Sequence, residues 1–485
     1  MVQSAAASAE QTTISSEIAL DAFASLLGPK GYCDDAAAIA PWLTDWRGRY
    51  SGKAAAMLSP ANTAEVAALV KIAATHNIAL VPQGGNSGMV AGATPDQSGN
   101  AILLSLRRMN VIGDIAADGS IQCGAGVILQ NLHDVAAAHG RRFPLTLGGK
   151  GSATIGGLVS TNAGGTQVLR HGTMRALVSG LQAVLPDGSI YDGLSPLKKD
   201  NRGYDLKHLM IGAEGTLGIV TAATLQTVPA IIDRCVIWAG VGSPEAAYQL
   251  LLNLQSSARS ALEGFEILPE CALDAVITHI SGTRAPLASQ HAWHVLIEVV
   301  QDDPAQENPQ EMAMRLLTGV ITSGLVQDAV VSSSEAQADA FWKIRDSIAE
   351  AERAEGPALQ HDISVPVADM ARFITDETPS IEQRFAGTKI VAFGHLGDGN
   401  IHFHVKAPAG ADAATWYERE TKRISGYVYD RVTAYHGSIS AEHGIGQLKV
   451  AELSRLSAPG HMAALRAIKT ALDPLGIMNP GKLIA

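Results

Sequence analysis

ANTAEVAALVKIAATHNIALVPQGGNSGMVAG, Ala61 to Gly92, carries three signals in succession. AEVAALVKIAATHN is an alanine-rich run with apolar residues at helical spacing, and Thr63 ahead of it suits an N-cap. IALVP then reads as a short strand. PQGGNSGMVAG, Pro82 to Gly92, is too rich in glycine to continue either element. Short apolar runs, helix-like stretches and glycine loops alternate in this way from about residue 18 to residue 230.

A second dense loop, GGKGSATIGGLVSTNAGG, spans Gly148 to Gly165, and GAEGTLGIVT spans Gly212 to Thr221. Glycine lets backbone approach a ligand closely and adopt positive φ. Successive free N–H groups then cradle an anion such as a pyrophosphate. Neither dense loop is a standard nucleotide motif. Lys150 is followed by Gly151 rather than by the Ser or Thr of a Walker loop, and GKGSAT and GAGVIL both lack the last glycine of a Rossmann fingerprint. One such loop alone reads as an ordinary turn. Two of them with a third glycine segment in one domain favour a large anionic cofactor other than NAD.

A chain of 485 residues exceeds one ordinary core. Three parts are expected: 1–230, ordered from about residue 18; 231–425, where glycine thins out; and a helix-rich 426–485 that packs back on the first part. The net charge of −11 argues against nucleic acid and against an anionic membrane surface. Cys33, Cys123, Cys235 and Cys271 are far apart and form no C-x-x-C pair, which fits reduced thiols. The first sixteen residues lack a basic residue and a long apolar run, and no stretch offers the roughly 20 apolar residues of a membrane span. A cytoplasmic location is expected.

In the second part HAWHVLIEVVQ, DAVVSSS and TKIVAFGHL read as strands, and EMAMRLLTGVITSG and AQADAFWKIRDSIAEAER as helices, an α+β pattern. Its chemistry concentrates in GHLGDGNIHFHV, Gly394 to Val405. Asp-Gly between apolar runs signals a hairpin with GDGN as its turn. Pairing Leu396 with Ile401 would set His395 opposite His402, and alternation puts His404 on the same face. Convergent imidazoles with a carboxylate suit a divalent metal such as zinc. The plainer reading is a row of polar neighbours on a solvated face. Asp398 suits the turn better than a metal. SAEHGIGQ, Ser440 to Gln447, offers Glu442 and His443 beside two glycines.

Together these motifs resemble the flavin oxidoreductases with a vanillyl-alcohol-oxidase-type FAD domain, in the D-2-hydroxy acid dehydrogenase branch. The resemblance runs from about residue 45 to the end. PQGGNSGMVAG and GSATIGGLVSTNAGG look like the family's first two FAD loops, and KKDNRGYDLKHLMIGAEGTLGIVTAATL like the third. GHLGDGNIHFHV and SAEHGIGQLK look like its metal and catalytic segments, and MNPGKLI like its C-terminal flavin contact. The implied fold is α+β: a two-part FAD domain, an antiparallel-sheet α+β substrate domain and a helical C-terminal segment. The implied FAD contacts are Pro82, Gly84, Gly85, Asn86, Ser87 and Gly88; Gly151, Ser152, Gly156, Thr161, Asn162 and Gly164; Gly212, Glu214, Gly215, Gly218 and Ile219; and Asn479 near the isoalloxazine. Non-covalent attachment is expected.

The resemblance makes His395, His402 and Glu442 metal ligands, His443 the general base and Arg345 the holder of the substrate carboxylate. A guanidinium fork suits that last task. It implies oxidation of a D-2-hydroxy acid such as D-2-hydroxyglutarate or D-lactate, with hydride transfer to flavin. The implied electron acceptor is electron-transfer flavoprotein or a quinone-linked carrier, and a homodimer stays open. His404 stands where relatives read asparagine and becomes a further ligand or a substrate contact. Ala349 and Gln360 replace the relatives' threonine and lysine, which weakens the case for a second substrate carboxylate. Two competing readings are a flavin-free metal hydrolase and an oxygen-using alcohol oxidase.

Overall fold

The computed structural model describes residues 17–484. The described residues divide into two units: 17–164 with 173–228 and 443–484, and 165–172 with 229–442. The expected third part is thus divided between Glu442 and His443. The helix Ala413–Ala434, which straddles the expected start of that part, belongs to the second unit, and Val450–Leu456 and Pro459–Leu472 belong to the first.

The first unit holds two main sheets. One has four strands in the order Tyr32–Cys33, Met57–Leu58, Ala101–Ser105, Ala79–Gln83, with the last three parallel. The other has five antiparallel strands in the order Ile112–Ile115, Ser120–Gly124, Ile219–Gln226, Val178–Val184, Ile190–Gly193. The helix expected after Ala61 runs Thr63–His76, and its cap is Asn62, whose side chain accepts from the Glu65 amide. Asn62 wins over Thr63 because Glu65 answers in kind, its Oε1 accepting from Asn62 Nδ2 at 3.0 Å and its Oε2 from the Ala61 amide at 2.7 Å. Val66, Leu69 and Val70 pack on Leu80, Ile102 and Leu104, all fully buried or nearly so. Each such side chain contributes about 1.5–3 kcal/mol.

The C-terminal segment is built into this unit. Met478 bridges to Leu80 in parallel, and Lys469 Nζ donates to the carbonyls of Thr216 and Met478, both at 2.8 Å.

The second unit is one antiparallel sheet of seven strands, ordered Asp328–Val331, Asp233–Val241, Trp293–Gln301, Leu262–Pro269, Lys389–His395, Asn400–Lys406, Ala358–Ser364. The run expected to form one helix over 336–353 forms two, Glu335–Asp346 and Ile348–Glu355, parted at Ser347. Phe341, Ile344, Ile348 and Ala351 from these helices pack on Val236, Trp238, Leu296, Val391 and Phe393 of the sheet. Residues 165–172 join this unit through Arg170, which donates to Glu263 at 2.8 Å and to Asp302 at 2.7 Å.

Candidate active site

The histidine hairpin forms with a register two residues from the expected one. His395 pairs with Asn400, Phe393 with His402 and Val391 with His404, so the turn is Leu396–Gly399. The turn slides because Asp398 Oδ1 caps the Asn400 amide at 3.0 Å and draws Asn400 into the strand. A slip by an even number keeps every side chain on its face. His395, His402 and His404 therefore share one face, with His395 and His402 as diagonal neighbours whose ring centroids lie 5.5 Å apart.

Two neighbouring strands complete the row. Glu266 stands opposite His395, and Asp362 stands opposite His402. Glu266 Oε1 accepts from His395 Nδ1 at 2.5 Å, and Glu266 Oε2 accepts from Arg345 Nε at 2.8 Å. Burial alone would push the Glu266 carboxyl up. The Arg345 guanidinium and the His395 imidazole outweigh it and hold that carboxyl at about 2. Burial likewise works against the His395 cation, yet Glu266 lifts His395 to about 10. His402 goes the other way, held well below the usual range by burial and by the cations of Arg345 and His395.

Glu442 reaches this row along the sheet edge. Ser438 and Ser364 form an antiparallel bridge, and the Glu442 amide donates to Asp362 Oδ2 at 2.9 Å. Glu442 Oε1 then lies 3.5 Å from His395 Nε2. Ligand atoms of His395, His402 and Glu442 all fall within 4.8 Å of one another. Two imidazoles and a carboxylate suit zinc, and Glu266 fixes His395 by its other nitrogen, as the partners of metal-binding histidines do. Arg345 Nη2 is 3.3 Å from His395 Nε2, so the guanidinium faces the same space. Arg345 is not a solvated helix-surface residue: its side chain is only 12% exposed.

His404 lies on the row but is not in the ligand group. Its Nδ1 is bonded to the carboxylate of Glu352, which is buried on the helix above. Glu266, Asp362 and Glu352 are supporting residues that motif reading passes over. Asp362 lies two residues after Gln360, in HDISVP, and Glu352 falls on the apolar face of its helix, four residues from Ile348.

The proposed cofactor residues lie in the first unit and divide by what surrounds them. A Cβ on Gly85 would sit 1.7 Å from the Ser152 carbonyl, and one on Gly84 would sit 2.1 Å from Thr154 Oγ1. These glycines let the two loops approach each other. Gly88 and Gly151 have nothing within 4 Å of an added Cβ, which leaves room for a ligand. Asn479 Nδ2 donates to the carbonyls of Glu214 and Gly92, while its buried Oδ1 finds no partner among the described residues. Paired loops beside open space and an acceptor without a donor fit a large bound group. Asn86, Asn162 and Glu214 spend their side chains on the protein: Asn86 on the Thr44 carbonyl, Asn162 on Thr173 and the Arg175 amide, Glu214 on the amides of Ile445 and Gly446. His443 opens the last segment of this unit, directly after Glu442 in the chain.

A two-part first unit with glycine loops, followed by an antiparallel sheet bearing a polar row, is the fold of the vanillyl-alcohol-oxidase-type FAD enzymes. The chain belongs to the FAD-linked oxidases: residues 54–193 match the FAD binding domain, and 233–483 match the FAD linked oxidases, C-terminal domain. It is 36% identical over 463 residues to the mitochondrial D-2-hydroxyglutarate dehydrogenase of Arabidopsis thaliana, covering 95% of this chain and 80% of that protein. It is 35% identical over 443 residues to the D-2-hydroxyglutarate dehydrogenase of Xanthomonas citri pv. viticola, covering 90% and 91%. Among solved structures, p-cresol methylhydroxylase with substrate bound shares the fold at a TM-score of 0.75 and 15% identity, covering 96% of both chains. The 4-ethylphenol oxidase of Gulosibacter chungangensis does so at 0.71 and 19%, covering 98% of this chain and 97% of that one. The flavin-free hydrolase reading falls with this membership. No helix among the described residues is long and apolar enough to cross a membrane.

Proposed function

We propose that the chain oxidises a D-2-hydroxy acid to the 2-oxo acid, with D-2-hydroxyglutarate, the compound in its relatives' names, as the leading substrate. The observation that carries this reading is the convergence of His395, His402, Glu442 and Arg345 on one partly buried row. When bound, FAD supplies a two-electron acceptor for the substrate Cα hydride, and a divalent ion, zinc by its donors, supplies a positive centre for the hydroxyl and carboxylate oxygens.

The remaining work falls to side chains. Glu266 holds Arg345 by Nε and so sets the plane of the guanidinium, whose terminal N–H groups beside His395 would meet the substrate carboxylate. The same Glu266 pins the His395 ring, and Asp362 pins the Glu442 backbone, so both ligands are set before substrate arrives. His443 takes the hydroxyl proton as general base. His404, backed by Glu352, contacts the far end of the substrate. The reduced protein passes its electrons to electron-transfer flavoprotein or a quinone-linked carrier ahead of oxygen.

Dye-linked turnover with paired D- and L-2-hydroxy acids tests this reading. D-2-hydroxyglutarate is expected to turn over, its L isomer is not, and peroxide should stay near background. H443A should keep FAD and lose turnover. Equal use of both isomers, or full turnover by H443A, would overturn the assignment.

A further inference from the structure

We propose that Glu214 is a positioning residue for the catalytic histidine: it clamps the turn that follows His443 onto the glycine loop at Gly212–Gly218. The inference rests on the role given above to His443.

Glu214 is 8% exposed, and both its oxygens are spent on consecutive amides. Oε1 accepts from the Ile445 amide and Oε2 from the Gly446 amide, each at 2.7 Å. Two charge-assisted bonds in a buried setting make a strong and directional anchor. Only a carboxylate offers an acceptor to both amides, because a glutamine would turn an NH2 group toward one of them.

Both sides of the clamp are shaped to meet. Glu214 has φ +51°, held by its amide donating to the Ser160 carbonyl at 2.8 Å and by its carbonyl accepting from Asn479 Nδ2 at 2.7 Å. Facing it, Gly444 and Gly446 have φ +78° and +52°. A Cβ on Gly444 would stand 2.8 Å from Glu214 Oε1, and one on Gly446 would stand 2.1 Å from the Val90 carbonyl. Gln447 Nε2 fastens the far end of the turn to the carbonyls of Ala91 and Thr94, at 3.0 and 2.7 Å. The backbone just after His443 is therefore fixed by Glu214 and Gln447 to two of the glycine loops. A base that must meet one proton within about an ångström needs such an anchor, since a shift of that size can cost on the order of a hundredfold in rate.

The test is E214Q in the full-length flavoprotein, alone and combined with H443A. It has two readouts: hydrogen exchange along the chain and the rate of anaerobic flavin reduction by D-2-hydroxyglutarate. E214Q is expected to retain FAD, to exchange faster only over residues 444–447, and to reduce its flavin about 10- to 100-fold more slowly with KM changed by less than about 2-fold. In the H443A background the same change should cost less than about 2-fold further, because both act through one group. Unchanged exchange, or loss of FAD in its place, would overturn the clamp. Losses that multiply fully in the double variant would overturn its action through His443. Normal turnover by H443A with loosened exchange in E214Q would overturn the base assignment and leave the clamp standing. If E214Q fails to fold, G444A makes the same test from the other side of the contact, with the same expected and contrary results.

Discussion

Glu266 and His395 stand directly opposite each other on adjacent strands, and one carboxylate of Glu266 holds both His395 and Arg345. The proposed metal ligand and the proposed substrate-binding cation thus share a single buried support. E266Q should weaken binding of a divalent ion by about 10- to 100-fold, as loss of a metal ligand's outer partner does. Flavin content should stay unchanged, since Glu266 lies in the second unit. Metal analysis after dialysis against a graded chelator checks this, and wild-type retention would refute it.

His404 and Glu352 form a buried pair, and Glu352 Oε1 has no partner among the described residues. H404A should destabilise the protein by roughly 3–5 kcal/mol, because it strands a buried carboxylate. H404A/E352A should recover part of that loss. Urea unfolding midpoints decide the matter, and a double variant worse than the sum of its parts would contradict the pairing.

The close approach of the two glycine loops gives a separate prediction. G85A brings a Cβ to 1.7 Å from the Ser152 carbonyl and must part the loops. FAD occupancy of the purified protein should fall sharply with the second unit intact. Full occupancy, read from the ratio of flavin to protein absorbance, would refute the loop assignment.

Lys482 is buried, and burial pushes its ammonium down to about 8, with Asp96 opposing. In the unfolded chain a lysine titrates near 10.4, so between about 8 and 10.4 the unfolded state holds more protons. Folding stability contributed by this site should therefore rise with pH across that window, and its cost should be fully present below it. K482M should flatten that dependence in unfolding curves taken from pH 7 to 10. An unchanged slope would contradict the burial effect.

Local chemistry made much of this fold and site legible. The glycine loops announced a cofactor because few residues other than glycine allow loops to close to such distances. The hairpin histidines shared a face because strand alternation has a period of two, and that survived the two-residue difference in register. The register itself turned on Asp398 and Asn400, a cap too short-ranged to show in the apolar pattern. Glu266 was invisible because its partner His395 lies 129 residues away, and which strand pairs with which is set by the whole sheet. The break at Ser347 left no mark either, since serine is tolerated within helices. The split of the C-terminal part at Glu442 and His443 follows from contacts on either side of one peptide bond.

In the proposed function, FAD and a divalent ion together serve oxidation of a D-2-hydroxy acid. Anaerobic mixing of the purified flavoprotein with D-2-hydroxyglutarate, before and after chelation, tests it most directly. The expected result is bleaching of the flavin band, its loss on chelation and its return with added zinc. Bleaching that chelation leaves untouched would contradict the metal site, and a flavin that no D-2-hydroxy acid bleaches would contradict the substrate class.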